Sequence, residues 1–401
     1  MLPVTHSNGN PAAHATNMPI LCVIGDGQLA RMMHTAAIEL GQSVRILAGA
    51  PNASAAQVAA DVVLGDYTNF DDLRRVTEGA HAVTFDHEHV PNQHLEALIA
   101  EGINVQPRPA ALVNAQDKLV MRQRLAELGA PVPAFAAIDS VEDATAFWNT
   151  VDGAVCLKAR RGGYDGKGVW FPDTLEELTE LVSELLAAGT PLMGEHKVTL
   201  VRELSAMVAR TPSGEVKGWP VVESIQKDGI CWFAIAPAPD LSPELKEQAE
   251  NVAITIATEL GVTGNLAVEL FETPDGIFVN ELAMRPHNTG HWTQDGCVTD
   301  QFEQHIRAVL DLPLGSTAPL QNYTVMANVL GAAEDPETPM PQRMIDVWKR
   351  YPEAKIHMYG KDHRLGRKIG HVNMAGTDVE ELKTAAENAA YYLVHAEWKE
   401  Q

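Results

Sequence analysis

Residues 265–283 read NLAVELFETPDGIFVNELA. Two runs of alternating apolar and polar residues flank Pro274-Asp275-Gly276, which is the pattern of a β-hairpin. A three-residue loop places Thr273 opposite Ile277, and counting outward from there puts Glu269 opposite Glu281. Two carboxylates directly across a strand pair repel. A cation between them removes the conflict. Mg²⁺ suits the position, because it takes one or two carboxylates and fills its shell with water and phosphate oxygens. Asn280 adds an oxygen donor beside the pair. The plainer readings are a solvated hairpin face, or a carboxylate neutralised by Arg285.

Directly after the hairpin come Arg285, His287, Asn288, Thr289, His291 and Trp292. His287 and His291 have the i, i+4 spacing of a helical zinc pair, but Pro286 and Gly290 oppose a regular helix and no HExxH motif is present. A loop offering guanidinium, imidazole and amide donors suits a small oxyanion instead.

Upstream, AVCLKARRGGYDGKGVWF (154–171) has strand signals on both sides of a glycine-rich loop. It is not a phosphate-binding P-loop, since Gly168 follows Lys167 and a strand, not a helix, comes next. A strand–loop–strand flap of this kind can lay backbone N–H groups over phosphates, with Lys158 and Lys167 supplying charge. The bland alternative is a hairpin loop with solvated lysines. The chain also opens on a glycine loop. ILCVIG (20–25) is a short strand, and DGQLARMMHTAAIELG (26–41) follows at helical spacing. Gly25-x-Gly27-x-x-Ala30 fits the dinucleotide fingerprint, but the second strand ends in Ala48-Gly49 where that site needs an acid for the ribose. A structural turn is the better reading.

The strands SVRIL, DVVLG and AVTFD, separated by helical or loop stretches, imply a parallel sheet with right-handed crossovers. A helix is expected over AQDKLVMRQRLAELG (115–129), and a long amphipathic helix over ELKEQAENVAITIATELG (244–261). From about Pro313 the chain reads as less regular. It ends in a basic patch, Lys361, His363, Arg364, Arg367, Lys368 and His371, then a final helix. Such a patch would meet a phosphate-bearing substrate; the plainer reading is a solvated turn offsetting acidic neighbours. At 401 residues the chain has room for two or three domains. The expected divisions are a disordered lead-in over 1–18, a Rossmann-like domain over 19–113, a central domain over 114–312 with its flap near 135–200, and a C-terminal domain over 313–401. Met18 is an alternative start.

Lys and Arg number 30 against 53 Asp and Glu, a formal net charge of −23. That excludes a general nucleic-acid binder and an anionic membrane surface as main partners. No apolar run reaches the roughly 20 residues of a membrane span, and no signal peptide is legible. Four dispersed cysteines suggest a reducing cytoplasm.

In order, GDGQLARM (25–32), TFDHEHVP (84–91), LKARRGGYDGKG (157–168), NELAMRPHNTGHWTQDG (280–296) and GRKIGHVN (366–373) resemble the ATP-grasp ligases. Among these they are most similar to the N5-carboxyaminoimidazole ribonucleotide synthase family, from Ile20 to about Asn373. The resemblance implies an α/β fold, α+β in part. An N-terminal parallel-sheet domain precedes the ATP-grasp domain with its flap, and a C-terminal domain follows. It implies a cytoplasmic homodimer of purine (IMP) biosynthesis that uses ATP, Mg²⁺ and bicarbonate to carboxylate 5-aminoimidazole ribonucleotide (AIR) through carboxyphosphate.

Carried over residue by residue, Lys118 and Lys158 would contact the ATP phosphates under the flap of Gly163, Tyr164, Asp165, Gly166, Lys167 and Gly168. Glu195, Val198, Glu203 and Gln226 would hold the rest of the nucleotide. Glu269 and Glu281 would bind Mg²⁺, with Asn280 beside them. Arg285, His287 and Asn288 would grip bicarbonate and carboxyphosphate. Gln28, Leu29, Glu88, Tyr164 and Asp165 would line the AIR site, and Lys361, Arg367 and Lys368 would take its 5′-phosphate. Asp165 would remove the amine proton. The chain departs from the family at Asp86 and His89, where glutamate and asparagine are usual, and at Ala30, Lys118 and Gln226. The rivals are another ATP-grasp ligase, such as formate-dependent glycinamide ribonucleotide transformylase, and a nucleotide-binding regulatory protein without turnover.

Overall fold

The computed structural model describes residues 18–41, 44–162, 167–227 and 229–399. Four of the expected flap residues, Gly163, Tyr164, Asp165 and Gly166, lie outside the described residues, as does nearly all of the expected lead-in.

The first four strands are β1 (Leu21–Ile24), β2 (Arg45–Ala48), β3 (Asp61–Leu64) and β4 (Ala82–Phe85). They pair in parallel in the order β3-β2-β1-β4. β1 and β4 are buried throughout. This is why they read as continuous apolar runs rather than alternating ones. The helix Gln28–Glu39 buries Leu29, Met32, Met33, Ala36 and Ala37 at the spacing legible in the sequence.

The glycine loop between β1 and that helix encloses a side chain. Asp86, just beyond β4, turns into it, and its Oδ2 accepts the Gly27 N–H at 2.5 Å. A Cβ on Gly25 would lie 1.7 Å from Asp86 Oδ1, and one on Gly27 2.8 Å from Oδ2. Gly25 also sits at φ +117°, which side chains disfavour. Where a dinucleotide site needs its ribose acid, the Gly49 N–H instead donates to Asp26 Oδ2 at 2.8 Å. The loop is a turn built around Asp86.

The single helix expected over 115–129 is two, Pro109–Gln116 and Lys118–Glu127. They break at Asp117, which is extended at φ −131°. Its Oδ1 accepts the N–H groups of Leu119 and Val120 at 3.1 and 3.2 Å, an N-cap. A second sheet follows, from β5 (Phe135–Ile138), β6 (Val155–Ala159), β7 (Val169–Trp170) and β8 (Leu192–His196). It is antiparallel in the order β5-β8-β6-β7. The glycine loop joins β6 to β7, as expected.

The remaining strands are β9 (Arg202–Arg210), β10 (Val216–Gly218), β11 (Val222–Lys227), β12 (Ile230–Ala236), β13 (Gly264–Thr273), β14 (Gly276–Ala283), β15 (Tyr323–Leu330), β16 (Lys355–Met358) and β17 (Lys368–Gly376). They form one sheet in the order β14-β13-β9-β11-β12-β15-β17-β16, with β10 added on β9. The long helix Pro243–Glu259 packs Ala249, Ala253, Ile256 and Ala257 into the core beneath it. The segment beyond Pro313 is far more regular than expected. Three strands and the helices Met340–Arg350 and Val379–His395 share an apolar core. β15 is almost wholly buried, so it lacks the alternation that would have marked it. Among the described residues, no helix is long and apolar enough to cross a membrane.

The hairpin β13–β14 brings Glu269 opposite Glu281, but by another route than the count assumed. Thr273 pairs with Gly276, so the loop is the two residues Pro274-Asp275, and the pairing runs one out of step as far as Leu270 and Val279. The register then shifts at a bulge that absorbs Asn280, and Glu269 meets Glu281. Two errors of one residue cancelled.

Burial pushes the Asp86 carboxyl up to about 7, with the Gly27 N–H opposing, Asp26 adding, and Arg285 and Lys361 opposing. An acid whose folded pKa is raised loses stability as pH rises from its unfolded value, near 4, toward its folded value, and the slope vanishes above that. Asp86→Asn, which keeps an oxygen for Gly27, should therefore gain stability relative to wild type between about pH 4 and 7 and hold the gain above. Urea unfolding across that range checks it. A pH-independent difference would contradict the buried carboxyl.

Candidate functional site

A cleft of ≈ 1370 Å³ is lined from all three sheets, by Gln28, Leu29 and Glu88, by Lys158 and Glu195, and by Glu203, Glu269 and Glu281 among others. Most of the residues expected to act together converge on it.

At its centre stand the opposed carboxylates. Lys118 Nζ donates to Glu281 Oε1 at 2.5 Å. Asn280 Nδ2 lies 3.4 Å from Glu269 Oε2. Burial raises the Glu269 carboxyl well above the usual range, and the charges of Glu281 and Glu203 add to it, against Lys118 and Lys368. The pair is short of positive charge. Arg285 does not supply it, since its Nε donates to Glu88 Oε2 at 2.8 Å. Among the described residues no group of three or more His, Cys, Asp or Glu is arranged to hold a metal. Two carboxylates with an amide between them suit an ion that takes its remaining ligands from phosphate and water.

Beside the pair lies a buried ionic cluster. Glu195 accepts from Arg122 Nε at 2.6 Å and from Lys158 Nζ at 2.7 Å. Arg122 also donates to the Asn280 carbonyl at 2.6 Å, and Lys158 Nζ is 3.4 Å from Asn280 Oδ1. The cluster ties β6 and β8 to the bulge of β14 and sets where Lys158 points. Glu195 was expected to hold adenine or ribose; here each of its oxygens accepts from a cation, and the side chain holds Arg122 and Lys158 in place. Sequence reading missed Arg122. The available signal was its place four residues after Lys118 on one helix face. Asp117 was missed as well. Besides capping the helix it accepts from Arg160 Nη2 at 3.1 Å and Arg161 Nε at 3.0 Å. Those arginines border the glycine loop and also line the cleft.

Lys167, Val198, Glu203 and Gln226 also line the cleft. Burial raises the Glu203 carboxyl, with Lys158 opposing, and Gln226 Nε2 donates to Ser224 Oγ at 2.8 Å. Arg285, His287 and Asn288 line the cleft as well. Residues 288–290 form a short 3₁₀ turn, so the two histidines do not share a helix face. Burial, with Arg285 and Lys368, pushes His287 down to about 3, so the ring is neutral. The Thr289 N–H points at His287 Nδ1 at 3.4 Å. Nδ1 also lies 2.8 Å from Thr289 Oγ1, and Nε2 faces Glu269 Oε1 at 3.4 Å.

The basic patch divides. Lys368 lines the cleft. Lys361 Nζ donates to Gln28 Oε1, and burial lowers its pKa to about 8. The neighbouring Tyr359 and Gly360 carbonyls accept from Ser54 Oγ at 2.6 Å and Gln57 Nε2 at 2.7 Å. This holds Lys361 against the N-terminal sheet. Arg367 donates to the Asp362 carbonyl at 3.2 Å. His363 and His371 leave the patch. His363 meets the Ala332 carbonyl at 2.8 Å, and His371 is fully buried against Tyr359 Oη at 2.7 Å.

Residues 18–116 match the ribonucleotide synthetase preATP-grasp domain, 123–302 the ATP-grasp domain, and 324–385 the phosphoribosylaminoimidazole carboxylase C-terminal domain. Fold and site thus define an ATP-grasp ligase. The chain is 62% identical to the N5-carboxyaminoimidazole ribonucleotide synthase of Corynebacterium ammoniagenes, over 98% of this chain and 96% of that one. The solved structure of the Thermus thermophilus synthetase superposes with a TM-score of 0.84 at 35% identity, covering 95% of this chain and all (100%) of the other. The Aspergillus clavatus enzyme, solved with ADP and 5-aminoimidazole ribonucleotide, gives 0.85 at 28% identity, covering 94% and 99%. The chain belongs to the N5-carboxyaminoimidazole ribonucleotide synthase family.

Removing one partner of a buried ion pair strands the other charge. Arg122→Leu should therefore lower unfolding stability by about 3 kcal/mol, measured in urea. A change under about 1 kcal/mol, the worth of a surface pair, would show that Lys158 alone satisfies Glu195.

Proposed function

We propose that this chain is an ATP-dependent ligase that carboxylates the amino group of 5-aminoimidazole ribonucleotide with bicarbonate. The products are N5-carboxyaminoimidazole ribonucleotide, ADP and phosphate, in purine (IMP) biosynthesis. The observation that carries the reading is that the Glu269/Glu281 pair, Lys118, Lys158, Arg285, His287 and Asn288 all line one cleft.

Lys118, Lys158 and Lys167 neutralise the triphosphate, under the flap that includes Gly163, Tyr164, Gly166 and Gly168. Val198, Glu203 and Gln226 border the remainder of the nucleotide. Glu269 and Glu281 would hold Mg²⁺, with Asn280 beside them, and the ion would offset phosphate charge. A bicarbonate oxygen attacks the γ-phosphorus, the bond to ADP breaks, and carboxyphosphate forms. Arg285, His287 and Asn288 hold this anion. Such positioning and charge stabilisation are what phosphoryl transfer needs. The AIR nitrogen then bonds to the carboxyl carbon, phosphate leaves, and the amine proton passes to Asp165. Glu88, Gln28 and Leu29 border AIR, while Lys361, Arg367 and Lys368 meet its 5′-phosphate. We read the active form as a cytoplasmic homodimer, in keeping with the family resemblance.

ADP release should require both AIR and bicarbonate, and formate should not replace bicarbonate. Glu281→Gln should lower kcat by about 100-fold or more and raise the Mg²⁺ needed for half-maximal rate. ADP release without AIR, or Glu281→Gln with wild-type turnover, would overturn the reading.

A further inference from the structure

We infer that Gln301 is a positioning residue that sets the geometry of the loop carrying Arg285, His287 and Asn288. The inference rests on the proposed role of that loop.

Gln301 begins the helix Gln301–Val309 and is completely buried. Its side-chain amide is used in full. Oε1 accepts the His287 N–H at 2.8 Å. Nε2 donates to the His287 carbonyl at 2.9 Å and meets His291 Nδ1 at 2.8 Å. One side chain thus holds both backbone polar groups of His287, as a neighbouring strand would, and grips the loop again four residues on. The loop is moulded to it. A Cβ on Gly290 would lie 2.5 Å from Gln301 Oε1, so only glycine lets the chain pass so close.

The backbone of Gln301 is itself held by groups tied to the chemistry. Asn265 Nδ2 donates to the Gln301 carbonyl at 2.8 Å, and Asn265 lies on β13, the strand of Glu269. The Gln301 N–H donates to Thr293 Oγ1 at 3.0 Å, and that hydroxyl donates to the Gly290 carbonyl at 2.6 Å. From the opposite side Asn373 of β17 donates to the His291 carbonyl at 3.0 Å. Gln301 touches none of the reacting atoms. It sets the distance between the oxyanion donors and the metal-binding carboxylates. Buried amides with all bonds made hold their neighbours rigidly, and small displacements of positioning groups cost rate steeply.

The test is steady-state kinetics of Gln301→Met, which keeps much of the volume and removes the three bonds. Gln301→Glu, which keeps the acceptor for the His287 N–H, is the second variant should the first not fold. ADP binding by calorimetry establishes that each variant is folded with its nucleotide end intact. The expected result is a bicarbonate KM raised by about tenfold or more, with the ATP KM unchanged within about twofold. More than one ADP should also be released per AIR consumed, because a loosened loop lets carboxyphosphate reach water. A merely structural role would lower the amount of active enzyme and leave both KM values and the coupling ratio alone. Wild-type bicarbonate KM and coupling in a folded variant, or equal rises in all KM values, would overturn the inference. Arg285→Ala and His287→Ala separate it from the reading beneath. If they raise the bicarbonate KM and Gln301→Met does not, only the inference fails. If they too leave it unchanged, the loop's proposed role fails.

Discussion

Two like charges fixed face to face set the terms for the rest of the molecule. Glu269 and Glu281 are aligned by an antiparallel register they cannot escape, because the bulge at Asn280 is paired on both sides. Such an arrangement is costly unless nearby positive charge, or a proton on one carboxylate, relieves it. Lys118 comes from the helix that Asp117 caps, and Lys158 from β6. Each lysine is held within a few ångströms of the hairpin by a named contact. A metal–nucleotide complex would complete the balance. The structure around the pair is thus a fixed set of charges prepared for an anionic ligand, which is how electrostatic preorganisation works.

The strained arrangement is distributed over three sheets. The Glu195–Arg122–Lys158 cluster joins the flap sheet to the hairpin. Glu88, following β4, accepts from Arg285, following β14, and so joins the N-terminal sheet to the loop after the hairpin. Ser54 and Gln57 reach the Tyr359 and Gly360 carbonyls and bring the C-terminal segment to the same cleft. The Glu195–Arg122–Lys158 cluster and the Ser54 bond to the Tyr359 carbonyl are buried, so neither is cheaply broken. The net charge of −23 does not oppose binding of phosphates. Cationic groups are concentrated at the cleft, while many acidic residues stand elsewhere on the surface.

Much of this was legible in the chain. Continuous apolar strands and the helical spacing of Leu29, Met32, Met33 and Ala36 gave the parallel sheet, and alternation around Pro274-Asp275 gave the hairpin. Glu269 and Glu281 were correctly opposed although the loop length was misjudged, because a two-residue loop plus a bulge equals a three-residue loop without one. What stayed hidden depended on tertiary contact. Nothing local says that Gly25 and Gly27 make room for Asp86, or that Glu195 would be consumed by Arg122 and Lys158. Nor does sequence density reveal that His371 of the basic patch turns into the core. β15 went unread because burial on both faces erased its period.

The central claim is that one cleft passes the γ-phosphoryl group of ATP to bicarbonate before the carboxyl reaches AIR. Turnover with ¹⁸O-labelled bicarbonate, followed by mass analysis of the released phosphate, tests it most directly. The account predicts one bicarbonate oxygen in each phosphate, because the bridging oxygen of carboxyphosphate leaves with phosphorus. Phosphate carrying no label, with AIR still carboxylated, would contradict it.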